Sequence, residues 1–392
     1  MVVKVALFTT YAALSSVLLA AQVAELDPVG KVTTLAAITS IGFVVTAITQ
    51  PVAGALSDRT STRFGRRLPW MASGAVVGGL AVGSMPGAPS VLLLAGLWIV
   101  VQFALHAVEV SADAYLVDAF PPARRGFAAG MTGLALVGGT AAGAVLAASH
   151  VTRPAIASWL LAGAVVLAVI IFAALVRDPA SAPIERPKRT RGQAIRRIGR
   201  VFIEHPDFVK ILLWRIGYSI AYGAVFAFLL YIVTDVVGLP TAEAAGLVAA
   251  ATVLGSATAG LSVVIGGWLS DRVGRRRLFI LVGNAVIIAG NILLLASPTP
   301  PIVLVTGALF GVGLGLSISC GRALASQVLP DPTGGAAGGL GLLSTAANIG
   351  QAAAPVIGAF AIGLGGYPAA LVTSIAGAVL CSVAIALVRT VR

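Results

Sequence analysis

Long apolar stretches alternate along the chain with short polar ones. The apolar runs fall near 5–24, 34–57, 69–86, 90–117, 127–149, 153–176, 208–234, 242–269, 278–297, 302–328, 336–362 and 367–388, twelve in all. Most stop at proline, glycine or charge, as at Asp27-Pro28, at Pro86 and Pro89, and between Pro298 and Pro301. Each matches a hydrocarbon core that takes about 20 apolar residues to cross. No water can bond a peptide group inside lipid, so the pattern predicts a spanning helix for every run.

Composition narrows the class. Hydrophobic residues make up 58% of the chain and charged ones 10%, with a mean hydropathy of +1.00. A soluble domain carries about 25% charged residues, so this chain could not cover a water-facing surface with polar groups. Cys320 and Cys381 stand in separate apolar runs, and His106, His150 and His205 are scattered. No disulfide framework and no metal site can be built from them, and no cofactor is implied. Arginine outnumbers lysine, and Ala, Gly and Val abound. That usage suggests a GC-rich bacterial genome, hence a bacterial inner membrane.

The 26 Lys and Arg residues set the orientation. With the N-terminus in the cytoplasm, the inner segments hold Lys4, the 59–67 loop, Arg124, Arg125, the 177–210 stretch, the 272–277 loop, Arg389 and Arg392. Lys31 and Arg153 fall outside, and Arg215 and Arg322 stay within predicted helices. Positive charge marks the cytoplasmic face, so both termini are placed there. The net charge of +12 is then a topology signal, not a nucleic-acid surface. The first run resembles a leader peptide. However, Asp27-x-Val29-Gly30-x-x-Thr33 recurs as Asp235-x-Val237-Gly238-x-x-Thr241, 208 residues on. A leader has no reason to join a repeat, so the run is read as a retained helix.

The segment 177–207 divides the chain into halves, 1–176 and 208–392. It holds Arg186, Lys188, Arg189, Arg191, Arg196, Arg197 and Arg200. It reads as a linker anchored by positive-inside charge, with a candidate amphipathic helix at 193–203. Docking to anionic lipid, at about 1 kcal/mol per basic residue, is the alternative.

Between the second and third runs stands Gly54-Ala-Leu-Ser-Asp58-Arg59-Thr-Ser-Thr-Arg63-Phe-Gly65-Arg66-Arg67-Leu-Pro69-Trp70. Between the eighth and ninth stands Gly267-Trp-Leu-Ser-Asp271-Arg272-Val-Gly274-Arg275-Arg276-Arg277. Both resemble the signature loop of the major facilitator superfamily, G-x-L-x-D-R-x-G-R-R. Two copies at matching places extend the resemblance over nearly the whole chain. It implies an all-α membrane protein, twelve transmembrane helices in two pseudo-symmetric six-helix bundles. Gly54 and Gly267 are expected to allow close helix contact, and Gly65 and Gly274 a sharp turn. An Asp beside several arginines at the membrane edge can make charge-assisted bonds that break and re-form as the halves rock. In the family the loop's Asp faces the start of helix 11, and an Arg pairs with an acid ending helix 4. Here those residues would be Asp58, Arg66 and Asp118. The first loop is longer by four residues and ends in Pro-Trp, similar to the glycoside–cation and sucrose–proton symporters. Two positions depart from that branch. Helix 2 carries no acid before Asp58, and Cys320-Gly321-Arg322 stands where relatives often have an Asp just before the Arg. Small-residue stripes at Gly126/Gly130, Gly139/Gly143 and Gly307/Gly311/Gly315 predict close helix packing.

Charges inside the membrane are functional candidates by default. Glu109, Asp113, Arg215 and Arg322 qualify. They fall on helices 4, 7 and 10, which with helix 1 line the central cavity in the family the loops resemble. His106, Glu109 and Asp113 are spaced i, i+3, i+7 and share one helix face. Asp113 and Arg322 each stand eight residues before a proline, Pro121 and Pro330, so both sit ~12 Å from the cytoplasmic end at ~1.5 Å per residue. Arg215 is at similar depth. Two acids and two bases suggest neutralising pairs across the cavity, Asp113 with Arg322, or else static bridges locking the halves. Glu109, ~18 Å in by the same rise, is read as the proton-coupling carboxylate, and Asp113 as permanently ionised. His106 belongs to the site or bonds a nearby backbone carbonyl. Trp214, Tyr218 and Tyr222 line a cavity or simply pack.

No phosphate-binding G-x-x-x-x-G-K-[ST] occurs, so a gradient supplies the energy, and protons suit the site better than sodium. The leading reading is a monomeric, proton-coupled transporter of a small organic solute, a sugar or glycoside. An exporter of drug-like metabolites is the alternative, and a non-transporting membrane sensor the third. Neither an enzyme nor a nucleic-acid partner is expected. In a chain freed of Cys320 and Cys381, single cysteines at Ser61 and Thr190 should react with impermeant thiol reagents only from the cytoplasm. One at Val29 should react only from outside. Val29 labelled only from the cytoplasm would overturn the helix count or its orientation.

Overall fold

The structure, a computed structural model, describes residues 1–60, 62–121, 124–176, 203–328 and 336–388. The first six spans are α1 (Val2–Leu26), α2 (Lys31–Arg59), α3 (Leu68–Ser84), α4 (Val91–Ala119), α5 (Arg125–Ser149) and α6 (Pro154–Leu175). They are followed by α7 (Pro206–Asp235), α8 (Thr241–Val273), α9 (Arg276–Ala296) and α10 (Pro300–Gln327). The final apolar helix, Gly341–Ala386, runs 46 residues, about twice what one crossing needs. It breaks at Gly365 and at Gly366, whose φ of +69° lies in the left-handed region open to glycine. The break yields α11 (336–364) and α12 (367–386), so that the described residues hold the twelve expected spans. The linker expected at 177–207, with its candidate helix at 193–203, lies outside the described residues up to 202.

The chain forms two compact units. The first holds α1–α6 together with Ala227–Val253, the end of α7 and the start of α8. Within it α1 is central, with Leu7, Ala13 and Val17 fully buried. Its hydroxyls need no water: Thr10 donates to Ala6 O at 2.9 Å and Ser16 to Ala12 O at 2.6 Å. One turn of α1, Leu14–Leu18, is a π-helix, a distortion frequent at functional sites. Adding the repeat offset of 208 to Leu18 gives Phe226, where α7 itself breaks between Pro206–Phe226 and Leu229–Asp235. Lys31 of α2 is tied to Asp235 of α7 at 2.7 Å, and the Tyr231 hydroxyl of α7 donates to Ala20 O of α1 at 2.8 Å. Beside them the Thr34 hydroxyl and the Gly30 amide both donate to Asp27, holding its carboxyl below the usual carboxylate range.

The second unit holds α7 up to Phe226 and the chain from Leu254 onward. Amides tie α9 to α12: Asn284 Nδ2 donates to Ser382 Oγ and Asn291 Nδ2 to Ser374 Oγ, both at 3.0 Å. α10 meets α8 where a side chain on Gly311 would strike the Gly255 carbonyl.

The glycine stripe of α5 divides in two. A side chain on Gly143 would run into the Thr9 carbonyl of α1, whereas Gly126 and Gly130 have nothing within 4 Å. The expected packing role therefore belongs to Gly139 and Gly143 alone on this helix. Gly143→Val should cost ~1–3 kcal/mol by overpacking, read as a fall in melting temperature. Gly130→Val should stay within ~0.5 kcal/mol of the parent. Equal effects of the two would contradict this packing of α1 on α5.

Candidate coupling and substrate site

The two signature loops turn at Gly65 (φ 89°) and Gly274 (φ 70°), as their sequences require. Gly54 and Gly267 differ from expectation. A Cβ on Gly54 would stand 3.7 Å from Val110, and one on Gly267 3.8 Å from Ser319. Those are ordinary contacts, so close approach does not demand glycine at either position.

In the first loop Arg67 is buried. It reaches Asp58 at 2.7 Å, Ser57 Oγ at 2.7 Å and Asp118 at 3.1 Å, while Arg66 reaches Asp118 at 3.4 Å. The carboxylate ending α4 thus binds both arginines, and the expected Arg66 contact is the longer. The second loop repeats the arrangement. Arg276, like Arg67 two residues after the loop glycine, holds Asp271 at 2.8 Å and donates to Ala323 O at 3.2 Å. The Trp70 ring N–H donates to Thr60 Oγ1 at 2.8 Å and closes the extra turn of the first loop. Arg59, Arg272 and Arg275 are exposed, with Arg272 5.2 Å over the Trp268 ring.

The intramembrane acids of α4 meet a cation that the charge distribution assigned to a cytoplasmic end. Lys4 lies inside α1, almost fully buried, with its Nζ 2.8 Å from Asp113 Oδ1 and 3.3 Å from Glu109 Oε1. Asp113, expected to be neutralised by Arg322, is therefore already paired within the first unit. Lone charges at a helix centre cost ~2.5–3.5 kcal/mol, and one ammonium offsets part of that for two carboxylates. The Lys4 contact is shorter to Asp113 than to Glu109. Asp113 is half open to the surroundings and Glu109 one-fifth open.

His106 completes the cluster. Its Nδ1 is 2.9 Å from Gln102 O, and a carbonyl only accepts, so Nδ1 carries the proton in that bond. The other nitrogen, Nε2, is left facing Glu109 Oε2 at 3.8 Å. Tyr11 of α1 packs on the imidazole with ring centroids 4.8 Å apart. Lys4, Phe8 and Tyr11 share one face of α1 at spacings of four and three. That periodicity was the available signal, missed because Lys4 stands one residue before the apolar run.

In the second unit Arg215 of α7 and Arg322 of α10 face a different environment. The Trp214 ring packs against the backbone at Gly321, which sets the next residues, Arg215 and Arg322, at one level on neighbouring helices. Arg322 is exposed and Arg215 partly so, its guanidinium 5.7 Å over the Tyr218 ring. Tyr222 stacks on Phe226 at 5.2 Å and leans on Phe310 of α10 at 6.1 Å.

A family model described as MFS/sugar transport protein matches residues 29–390. A probable nitrate/nitrite transporter, NarK2 of Mycobacterium tuberculosis, is 28% identical over 335 residues, covering 80% of this chain and 76% of that protein. An uncharacterized symporter of Synechocystis, sll1374, is 56% identical over 36 residues, 9% of this chain and 7% of that protein. Among solved structures, the nucleoside transporter NupG superposes with a TM-score of 0.74 at 11% identity, covering 98% of this chain and 97% of that one. A bacterial homologue of the human lysosomal transporter Spinster, inward-facing and unoccupied, gives 0.70 at 13% identity, covering 98% and 92%. With a family match across nearly its whole length and twelve spans in place, the chain belongs to the major facilitator superfamily and is a multi-pass secondary transporter.

Proposed function

We propose that the protein moves a small organic solute across the bacterial inner membrane by alternating access, coupled to protons, with Glu109 as the coupling carboxylate. The observation that carries this reading is the sharing of Lys4. Two carboxylates compete for one buried ammonium, and the shorter contact goes to Asp113. Glu109, more weakly held and more enclosed, stands beside the open nitrogen of His106. A proton on Glu109 leaves Lys4 wholly to Asp113, and its loss divides the cation between both acids. The two protonation states thus favour different arrangements of α1 against α4, which is what coupling requires. His106 Nε2 can accept the proton on its way.

A sugar or glycoside is the proposed solute class, supported by the family description and by the lengthened first loop. The relatives named for nitrate or nitrite and for nucleosides are consistent with small polar cargo on this scaffold. The halves 1–176 and 208–392 move against each other about the 177–207 linker. Arg67, Arg66, Asp58 and Asp118, with Arg276 and Asp271, form the clasps at the cytoplasmic edge. The protein works as a monomer among lipids, both termini cytoplasmic.

Glu109→Gln imitates the protonated carboxyl in shape and charge. The variant should keep solute binding and solute exchange at near parental rates. Accumulation driven by a pH gradient should fall at least tenfold. Normal gradient-driven accumulation would remove Glu109 from the proton path and leave Asp113 next in line.

A further inference from the structure

The two halves carry the same helices but not the same charges. In the first unit α1 meets α4 through a cation and two carboxylates. The offset of 209 that carries Pro121 onto Pro330 also carries Asp113 onto Arg322, while the 208 offset of the first helices carries Lys4 onto Leu212, three residues before Arg215. The second unit thus has a cation where the first has an acid, and a further cation one turn from the mate of Lys4. Among the described residues of that unit neither guanidinium has a carboxylate within salt-bridge distance. In the first unit Lys4, Glu109 and Asp113 pair with one another, so the cations of the second unit find no compensation of that kind within their own unit.

We infer that Arg215 and Arg322 form a subsite for the carboxylate of an organic anion, with Tyr218, Tyr222 and Phe310 as the wall against its apolar or ring-shaped body. The guanidinium fork matches a carboxylate in plane and spacing. Desolvation inside the membrane strengthens that attraction. Beyond Arg215 the ring of Tyr222 is partly open, with Tyr218 and Phe310 buried behind it, which favours a solute with a body over a bare inorganic ion. This narrows the sugar or glycoside proposed above to a solute that bears a carboxylate, as a sugar acid does, and rests on the transporter reading only for the claim that the occupant is carried.

The test uses the purified full chain and two carboxylates with neutral counterparts, benzoate with benzamide and gluconate with glucose, in exchange for chloride at constant ionic strength. At least one carboxylate should raise the melting temperature saturably, and its neutral counterpart should not. Arg215→Gln and Arg322→Gln should each abolish the rise. Arg215→Lys and Arg322→Lys, which keep the charge and lose the fork, should weaken the half-saturating concentration at least tenfold. The lysine pair decides the matter if the glutamine variants do not fold. No saturable rise with either carboxylate, an equal rise with the neutral counterpart, or an undiminished rise in the Arg variants would overturn the subsite. Binding of a carboxylate without uptake in proteoliposomes would remove transport and leave the subsite standing. Uptake of a neutral sugar indifferent to both arginines would remove the subsite and leave transport.

Discussion

Lys4 reaches from α1 to Glu109 and Asp113 on α4, and what the rest of the membrane interior can do depends on that contact. Lipid offers no water to a charge or a peptide group. Every element of the fold answers that constraint. Spans are helical, hydroxyls turn back on their own helix, and amides bond across helices. A charge left in the interior must find a partner or cost several kcal/mol. One ammonium between two carboxylates meets the constraint only in part.

The internal repeat makes the contrast between halves informative. Both halves place an irregular turn in their first helix, at Leu14–Leu18 and after Phe226. Both close their signature loop with the arginine two residues after the glycine, Arg67 and Arg276. The backbone plan is thus duplicated while the charge plan is not. The first half compensates its cation with acids, and the second sets two guanidinium groups beside an aromatic wall. The coupling site and the solute subsite proposed above thus fall in different halves.

Much of this was legible in the sequence because the signals are local. A run of apolar residues, a loop ending in glycine and arginines, and a charge inside an apolar run each declare themselves without a partner. The split of the last long helix was visible too, since Gly365-Gly366 interrupts a 46-residue stretch. Pairing was not legible, because it is a property of two helices at once. Lys4 sits one residue outside the apolar run and so was counted as a topology marker. Arg66 and Arg67 are adjacent, and only the turn at Gly65 decides which one is drawn to Asp58. Gly54 looked like a packing residue by its place in the motif, but the space beside it would accept a methyl group.

The central claim is that a proton gradient, acting through the α1–α4 charge cluster, does the work of transport. It is tested most directly by reconstituting the full chain in proteoliposomes and imposing an alkaline interior while screening sugars, glycosides and organic carboxylates. The expected result is that at least one solute accumulates above its external concentration, collapses to equilibrium with a protonophore, and ignores a sodium gradient. Accumulation that follows sodium and disregards pH, or equilibration that never exceeds the external concentration, would contradict the claim.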